Sequence, residues 1–237
     1  LMSIKSGFIA IIGRPNVGKS TLMNQISGKK VSNISAKPQT TRNRIQGVYT
    51  SDTHQIIFID TPGIHKPHHE LGHFMNQQAK TTLRDVDLIL LIVDGTQEFG
   101  RGDQFVLSML KKTNTPVFLL INKMDLIKNQ QQLLENTVKF QSVIDFNETF
   151  FISAKEGQQV DLLMEHILTK IPDGPLYYPK DQITDHPERF IICEIIREKV
   201  LILTKEEVPH SIAVVLESFD EEEGLLSIRA IIYVERS

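Results

Sequence analysis

Residues 13–20 read Gly13-Arg14-Pro15-Asn16-Val17-Gly18-Lys19-Ser20, a G-x-x-x-x-G-K-S spacing that follows an apolar run and opens a helix-patterned one. The two glycines permit a tight loop whose N–H groups, with the N-terminus of the following helix, can cradle phosphate oxygens. Such a loop needs a buried strand before it and a helix after it, so it commits its surroundings to a strand-loop-helix unit. Gly13, Asn16, Val17, Gly18, Lys19, Ser20 and Thr21 are the candidate phosphate-binding residues. The Lys19 ammonium is suited to neutralise the outer phosphates, and the Ser20 hydroxyl to ligate Mg2+.

The rest of the chain agrees with that commitment. Runs at 8–12, 55–60, 88–94, 117–122 and 149–153 are rich in Ile, Val, Leu and Phe and read as buried strands, with 45–50 as an antiparallel edge strand. Between them, 19–27, 71–84, 104–112, 132–143 and 160–170 repeat apolar residues at three and four and read as helices. The alternation predicts an α/β fold, a mostly parallel sheet with helices on both faces. Pro172, Pro175, Pro179 and Pro187 then interrupt the pattern. The expected organisation is a nucleotide domain over 1–172, a proline-rich linker over 173–186 and a smaller α+β unit over 187–237. That last unit reads as a helix at 188–203 and strands at 211–220 and 225–234, joined through an acidic turn.

With 41% hydrophobic and 23% charged residues, the 237-residue chain has an ordinary soluble composition. Its apolar runs fall well short of the ~20 residues needed to span a bilayer, and no signal peptide is visible. Cys193, the single cysteine, forms no internal disulfide and is expected on a buried helix face. These features predict a cytoplasmic protein. From Pro187 onward six Lys/Arg face eleven Asp/Glu, so the tail carries net charge of −5 and the preceding part +2. Neither value advertises nucleic-acid binding.

Three further motifs end strands. Asp60-Thr61-Pro62-Gly63 places a carboxylate beside the phosphate loop, where Asp60 can hold a metal-bound water. The Gly63 amide can meet a γ-phosphate only while that phosphate is present, which makes its loop a switch. Asn122-Lys123-Met124-Asp125 selects the base. The Asp125 carboxylate can accept from the ring N–H and amino group of guanine, a donor pair adenine lacks. Asn122 is expected to support the purine edge and Lys123 to pack its stem over the ring. Ser153-Ala154-Lys155 is expected to offer the Ala154 N–H to the guanine carbonyl. In the polar stretch 33–44, Thr41, with Thr40 as the alternative, is the candidate to complete the magnesium shell. His65, His68, His69 and His73 crowd the second switch, and the 69/73 spacing suits metal chelation, but no cysteine accompanies them and exposed polarity is the better reading.

The segments GRPNVGKST, KPQTTRNRIQG, DTPGIHKP, NKMD and SAKEG resemble the translation-factor-like small GTPases, and among them the Era family of ribosome-assembly GTPases. The stretch PLYYPKDQITDHPERFIICEIIREKVL resembles the start of that family's C-terminal type II KH domain. The resemblance implies GTP hydrolysis to GDP and a monomer that binds 16S rRNA and the small ribosomal subunit through the KH domain. It also implies peripheral contact with the cytoplasmic face of the bacterial inner membrane. After Pro187 the only glycine is Gly224, so this chain holds no G-x-x-G loop of the kind that clamps RNA in KH domains. Ile64 stands where many signalling GTPases carry a water-orienting glutamine. The resemblance implies potassium held partly by Asn16 as the substitute device. The residues expected to act in hydrolysis are therefore Lys19, Asn16, Thr41 and Gly63. Two other readings are open to the motifs: a GTPase partner in tRNA modification, against which the helix-strand-strand tail after a proline linker argues, and a scaffold that binds GTP and scarcely hydrolyses it, which Ile64 allows.

Overall fold

The computed structural model describes residues 4–28, 45–61, 64, 83, 85–111, 113–184, 187–203, 212–222 and 225–234. In chain order its elements are β1 (Lys5–Ile12), α1 (Lys19–Ser27), β2 (Ile45–Thr50), β3 (His54–Asp60), β4 (Leu88–Asp94), α2 (Arg101–Leu110) and β5 (Val117–Asn122). There follow α3 (Gln130–Gln141), β6 (Glu148–Phe151), α4 (Val160–Lys170), α5 (Glu188–Leu203), β7 (Ile212–Glu222) and β8 (Leu225–Val234). Of the expected helix over 71–84 only Leu83 is among the described residues, and His65, His68, His69 and His73 lie outside them.

β1 sits at the centre of the order β2-β3-β1-β4-β5-β6 and is parallel to both its neighbours, while β2 runs antiparallel at the edge. Its side chains alternate between two cores. Ile9 and Ile11 pack with Leu22 and Met23 of α1 and Leu163 and Ile167 of α4. Ala10 and Ile12 pack with Val106 and Leu107 of α2 and Leu133 and Phe140 of α3. A strand covered on both faces must be apolar at successive positions, which is why its sequence shows no polar alternation. Successive strands are added first on one side of β1 and then on the other, so the crevice at its C-terminal end is a ligand site by topology.

Two helices begin earlier than their apolar periodicity. At α2 the Gly100 N–H donates to Asp103 Oδ2 at 2.9 Å, and at α3 Asn129 Oδ1 accepts from the Gln132 N–H at 3.1 Å. These polar starting turns carry no hydrophobic repeat, so the pattern lags behind the helix. Cys193 is only half-buried, not sequestered as expected.

The proline-rich segment is extended but is no free linker. Ser6 N–H donates to the Pro172 carbonyl at 3.0 Å and Ser6 Oγ to the Pro175 carbonyl at 2.6 Å. Gln55, fully buried, accepts the Tyr177 and Tyr178 N–H groups on Oε1 at 2.8 and 3.0 Å. Its Nε2 donates to the Tyr178 carbonyl at 2.8 Å and to Thr50 Oγ1 at 3.2 Å. Farther on, Val48 N–H donates to the Ile183 carbonyl at 2.8 Å, and Phe190 of α5 packs against the core that holds Tyr49. The segment is thus a strap across β1, β3 and β2. Prolines forbid it a regular ladder, and side chains such as Gln55 supply the missing hydrogen bonds.

Replacing Gln55 by Leu removes these four bonds and strands two backbone donors. The Gln55→Leu chain is expected to lose about 2–4 kcal/mol in urea unfolding, and a midpoint equal to the parent's would show that the strap adds nothing to stability.

Candidate nucleotide site

The phosphate loop joins β1 to α1 at the central crevice. Gly18 caps α1 at φ 107°, with no side-chain cap and no acidic residue in the first turn, so the helix N-terminus is left to an anion. A Cβ on Gly18 would meet Asn122 Nδ2 at 2.2 Å, and one on Gly13 would meet the Ile92 carbonyl oxygen at 2.3 Å. Both glycines are therefore required by close approach as well as by backbone angle. Asn16 is exposed at φ 63°, a conformation asparagine tolerates better than most residues. Val17 is buried under the loop, and Thr21 follows in the first turn of α1, partly exposed.

Lys19 folds back beneath the loop, its Nζ donating to the Arg14 carbonyl at 2.7 Å and the Gly13 carbonyl at 3.3 Å. Burial lowers its pKa to about 8, against the opposing pull of Asp60. Ser20 Oγ donates to Asp60 Oδ2 at 2.7 Å. Two hard oxygen donors thus stand together beside the loop, and magnesium, which takes one or two protein oxygens and completes its shell with water and phosphate, fits that pair. Thr61 Oγ1 donates to the Ile11 carbonyl at 2.9 Å, fastening the loop after β3 onto β1. The Ile64 N–H donates to the Gly13 carbonyl at 2.9 Å while its side chain is fully buried in the core. Thr40, Thr41 and Gly63 lie outside the described residues.

The base-reading motifs meet on the adjacent strand ends. Asn122 Nδ2 donates to the Val17 carbonyl at 2.8 Å, and its Oδ1 accepts the Ala154 N–H at 2.8 Å. Lys123, at φ 67°, turns the chain so that Asp125 is exposed, and Ser153 Oγ donates to Asp125 Oδ1 at 2.6 Å. Lys123 Nζ reaches Asp94 Oδ2 at 2.6 Å. Lys155 is exposed and paired with Glu156 at 3.1 Å, a contact that raises its pKa.

The family model described as 50S ribosome-binding GTPase matches residues 8–123. A structure of Era in complex with MgGDPNP and nucleotides 1506–1542 of 16S ribosomal RNA is 41% identical, with TM-score 0.91. The match covers 98% of this chain and 80% of that one. The chain belongs to the Era family of GTPases. A variant of Aquifex aeolicus Era bound to GDP.AlF4- is likewise 41% identical over 98% of this chain and 80% of that one, with TM-score 0.90. The FeoB G-domain from Methanococcus jannaschii, at 22% identity and TM-score 0.51 over 70% of this chain and 98% of that one, shares the fold.

Within this Era-family site Asn122 links two segments that are distant in sequence. The Ala154 N–H donates to Asn122 Oδ1 at 2.8 Å. Asn122 joins the phosphate loop to the 153–154 turn through one N–H of its Nδ2 and through its Oδ1, a link that its motif alone does not reveal. Sequence reading also missed Asp94 and the ion pair of Arg14 Nη1 with Asp103 Oδ2 at 3.2 Å. The signal available for Asp94 was an acid closing an apolar run at the same sheet edge as Asp60 and Asp125.

The buried Lys19 couples binding to pH. Its folded, ligand-free pKa of about 8 lies below the ordinary 10.5, so the cost of burying its charge is fully present below pH 8 and is relieved as pH rises toward 10.5. Phosphate binds the protonated form and holds the proton on. GDP affinity is therefore expected to be flat near pH 7 and to fall above pH 8, approaching about tenfold per pH unit, in calorimetric titrations kept below the ionisation of guanine. A flat profile throughout would show that Lys19 keeps its proton without phosphate.

Proposed function

We infer that this chain binds GTP with magnesium, hydrolyses it to GDP and phosphate, and acts as a switch in small ribosomal subunit assembly through 16S rRNA. The observation that carries the reading is Asn122. Its side chain ties the phosphate loop to the turn that holds Asp125, so phosphates and base are gripped by one rigid unit.

Asp125, steadied by Ser153, accepts from the guanine edge, and Lys123 lays its stem along the ring plane. Lys19 exchanges its two carbonyl partners for phosphate oxygens, joined by the N–H groups of residues 13–21. Ser20 and Asp60 would hold magnesium, with Thr41 or Thr40 joining in the triphosphate state; the bound ion neutralises charge on the phosphate oxygens. Water attacks the γ-phosphorus, the bond to the bridging oxygen breaks, and GDP leaves with the developing charge met by Lys19 and the loop amides. Gly63 senses the γ-phosphate through its amide. Ile64 supports a water-positioning device other than a side chain at that place, since it is locked in the core.

We assign that device to potassium held partly by Asn16, whose left-handed backbone at φ 63° leaves its side chain on the exposed side of the loop. An Asn16→Ala chain is expected to lose potassium stimulation of single-turnover hydrolysis while retaining GDP affinity within about threefold, as an exposed polar change allows. An unchanged ratio of rates in potassium and sodium would remove the assignment.

The small subunit is the target in this reading because the Era structure with 16S rRNA matches 98% of this chain, whereas the 50S-associated family model matches only residues 8–123. The unit built from α5, β7 and β8 is the expected RNA-facing part, in a monomer of cytoplasmic location with peripheral contact at the inner membrane. No helix among the described residues is long and apolar enough to cross a membrane.

One substitution tests base and switch together. In an Asp125→Asn chain the amide can donate to the carbonyl that xanthine carries in place of guanine's amino group. GDP affinity is expected to fall about 10²–10⁴-fold, with preference passing to xanthosine nucleotides. Co-sedimentation with small subunits should follow the same exchange, the parent pelleting with a non-hydrolysable GTP analogue and the variant with the xanthosine analogue. Equal pelleting with GDP would sink the switch, and unchanged GDP affinity would remove Asp125 from the base.

A further inference from the structure

β4 and β5 are parallel with Asp94 directly opposite Asn122, so the last side chain of β4 emerges beside the base-reading motif. The Asp94 side chain is only 4% exposed and that of Lys123 29% exposed, and their Oδ2 and Nζ atoms are 2.6 Å apart. The other carboxylate oxygen accepts the Thr96 N–H at 2.9 Å and the Thr96 hydroxyl at 2.6 Å. Arg14 borders the same small crevice but is engaged by Asp103. Lys123 is therefore the cation that Asp94 holds. The lysine needs holding: its backbone is left-handed, and its long stem has many rotamers when the ammonium is unanchored.

We propose that Asp94 is a positioning residue for guanine-nucleotide binding, acting through Lys123 to set how long the nucleotide stays bound. The proposal rests on the GTP reading above. Anchored at its far end, the Lys123 stem is a prearranged apolar wall beside Asp125, and a flat base can pack on it without first ordering it. Because Asp94 neutralises the ammonium, the wall contributes contact with the base rather than charge to the phosphates. Its loss should shorten the residence of di- and triphosphate alike, and appear in dissociation more than in association.

The test is stopped-flow release of fluorescent GDP and a fluorescent non-hydrolysable GTP analogue from the whole chain. The variants are Asp94→Asn, Lys123→Met, both together, and Thr96→Val, which loses a hydroxyl bond to Asp94 but leaves the ion pair. Asp94→Asn is expected to speed release about tenfold for both nucleotides, with kcat at saturating GTP within about twofold. The double variant should be no faster than Lys123→Met, since each change breaks the same contact. It leaves no buried charge alone, so it keeps the comparison readable if a single variant fails to fold. Thr96→Val should release at nearly the parent rate. Parent-like release from Asp94→Asn, effects that multiply in the double variant, a difference between di- and triphosphate, or equal acceleration by Thr96→Val would each overturn the proposal. A parent chain that binds neither nucleotide would overturn the GTP reading instead.

Discussion

One buried amide holds the nucleotide site together. Asn122 is 3% exposed; one N–H of its Nδ2 donates to the Val17 carbonyl and its Oδ1 accepts the Ala154 N–H. An unpaired polar group at that depth costs about 1–3 kcal/mol, so the two loops cannot drift from the end of β5 without penalty. Gly18 belongs to the same constraint, because any larger residue there would occupy the space of the Asn122 amide. The phosphate loop and the base-reading turn share a frame for this reason, although they are a hundred residues apart in sequence.

Around that frame the charges are arranged in neighbouring pairs: Lys19 near Asp60, Lys123 with Asp94, Arg14 with Asp103. Each partner acid stands at a strand end or a helix start on the same edge of the sheet. Lys19 differs from the others in resting on backbone carbonyls, which are weaker holders than a carboxylate. Its burial leaves it ready to exchange those partners for phosphate. Lys123 is tied instead to a full negative charge, Asp94 Oδ2 at 2.6 Å.

The strap over residues 172–184 changes how the two parts of the chain are related. Its hydrogen bonds reach β1 through Ser6, β3 through Gln55 and β2 through Val48, and a T-shaped contact of Phe8 with Tyr177 at 4.8 Å covers its middle. β2 is the strand that follows the stretch carrying Thr41. The strap is thus hydrogen-bonded, at Ile183, to the strand that follows that stretch.

The amino-acid sequence alone determined the fold class, the position of the phosphate loop, the preference for guanine and the break near Pro172, because each depends on local spacing: glycines in one octapeptide, apolar runs between turns, an acid at a fixed place after an asparagine. It also carried the family, since several such motifs fall in one order. What it left open were the partners. Which backbone groups Asn122 joins, whether the prolines make a loose linker or a strap, and what Asp94 holds are all decided by which strand ends come together. Those pairings are long-range, and one polar side chain satisfies the same local pattern with any of several partners. Only the burial imposed by the parallel sheet selects which of them it meets.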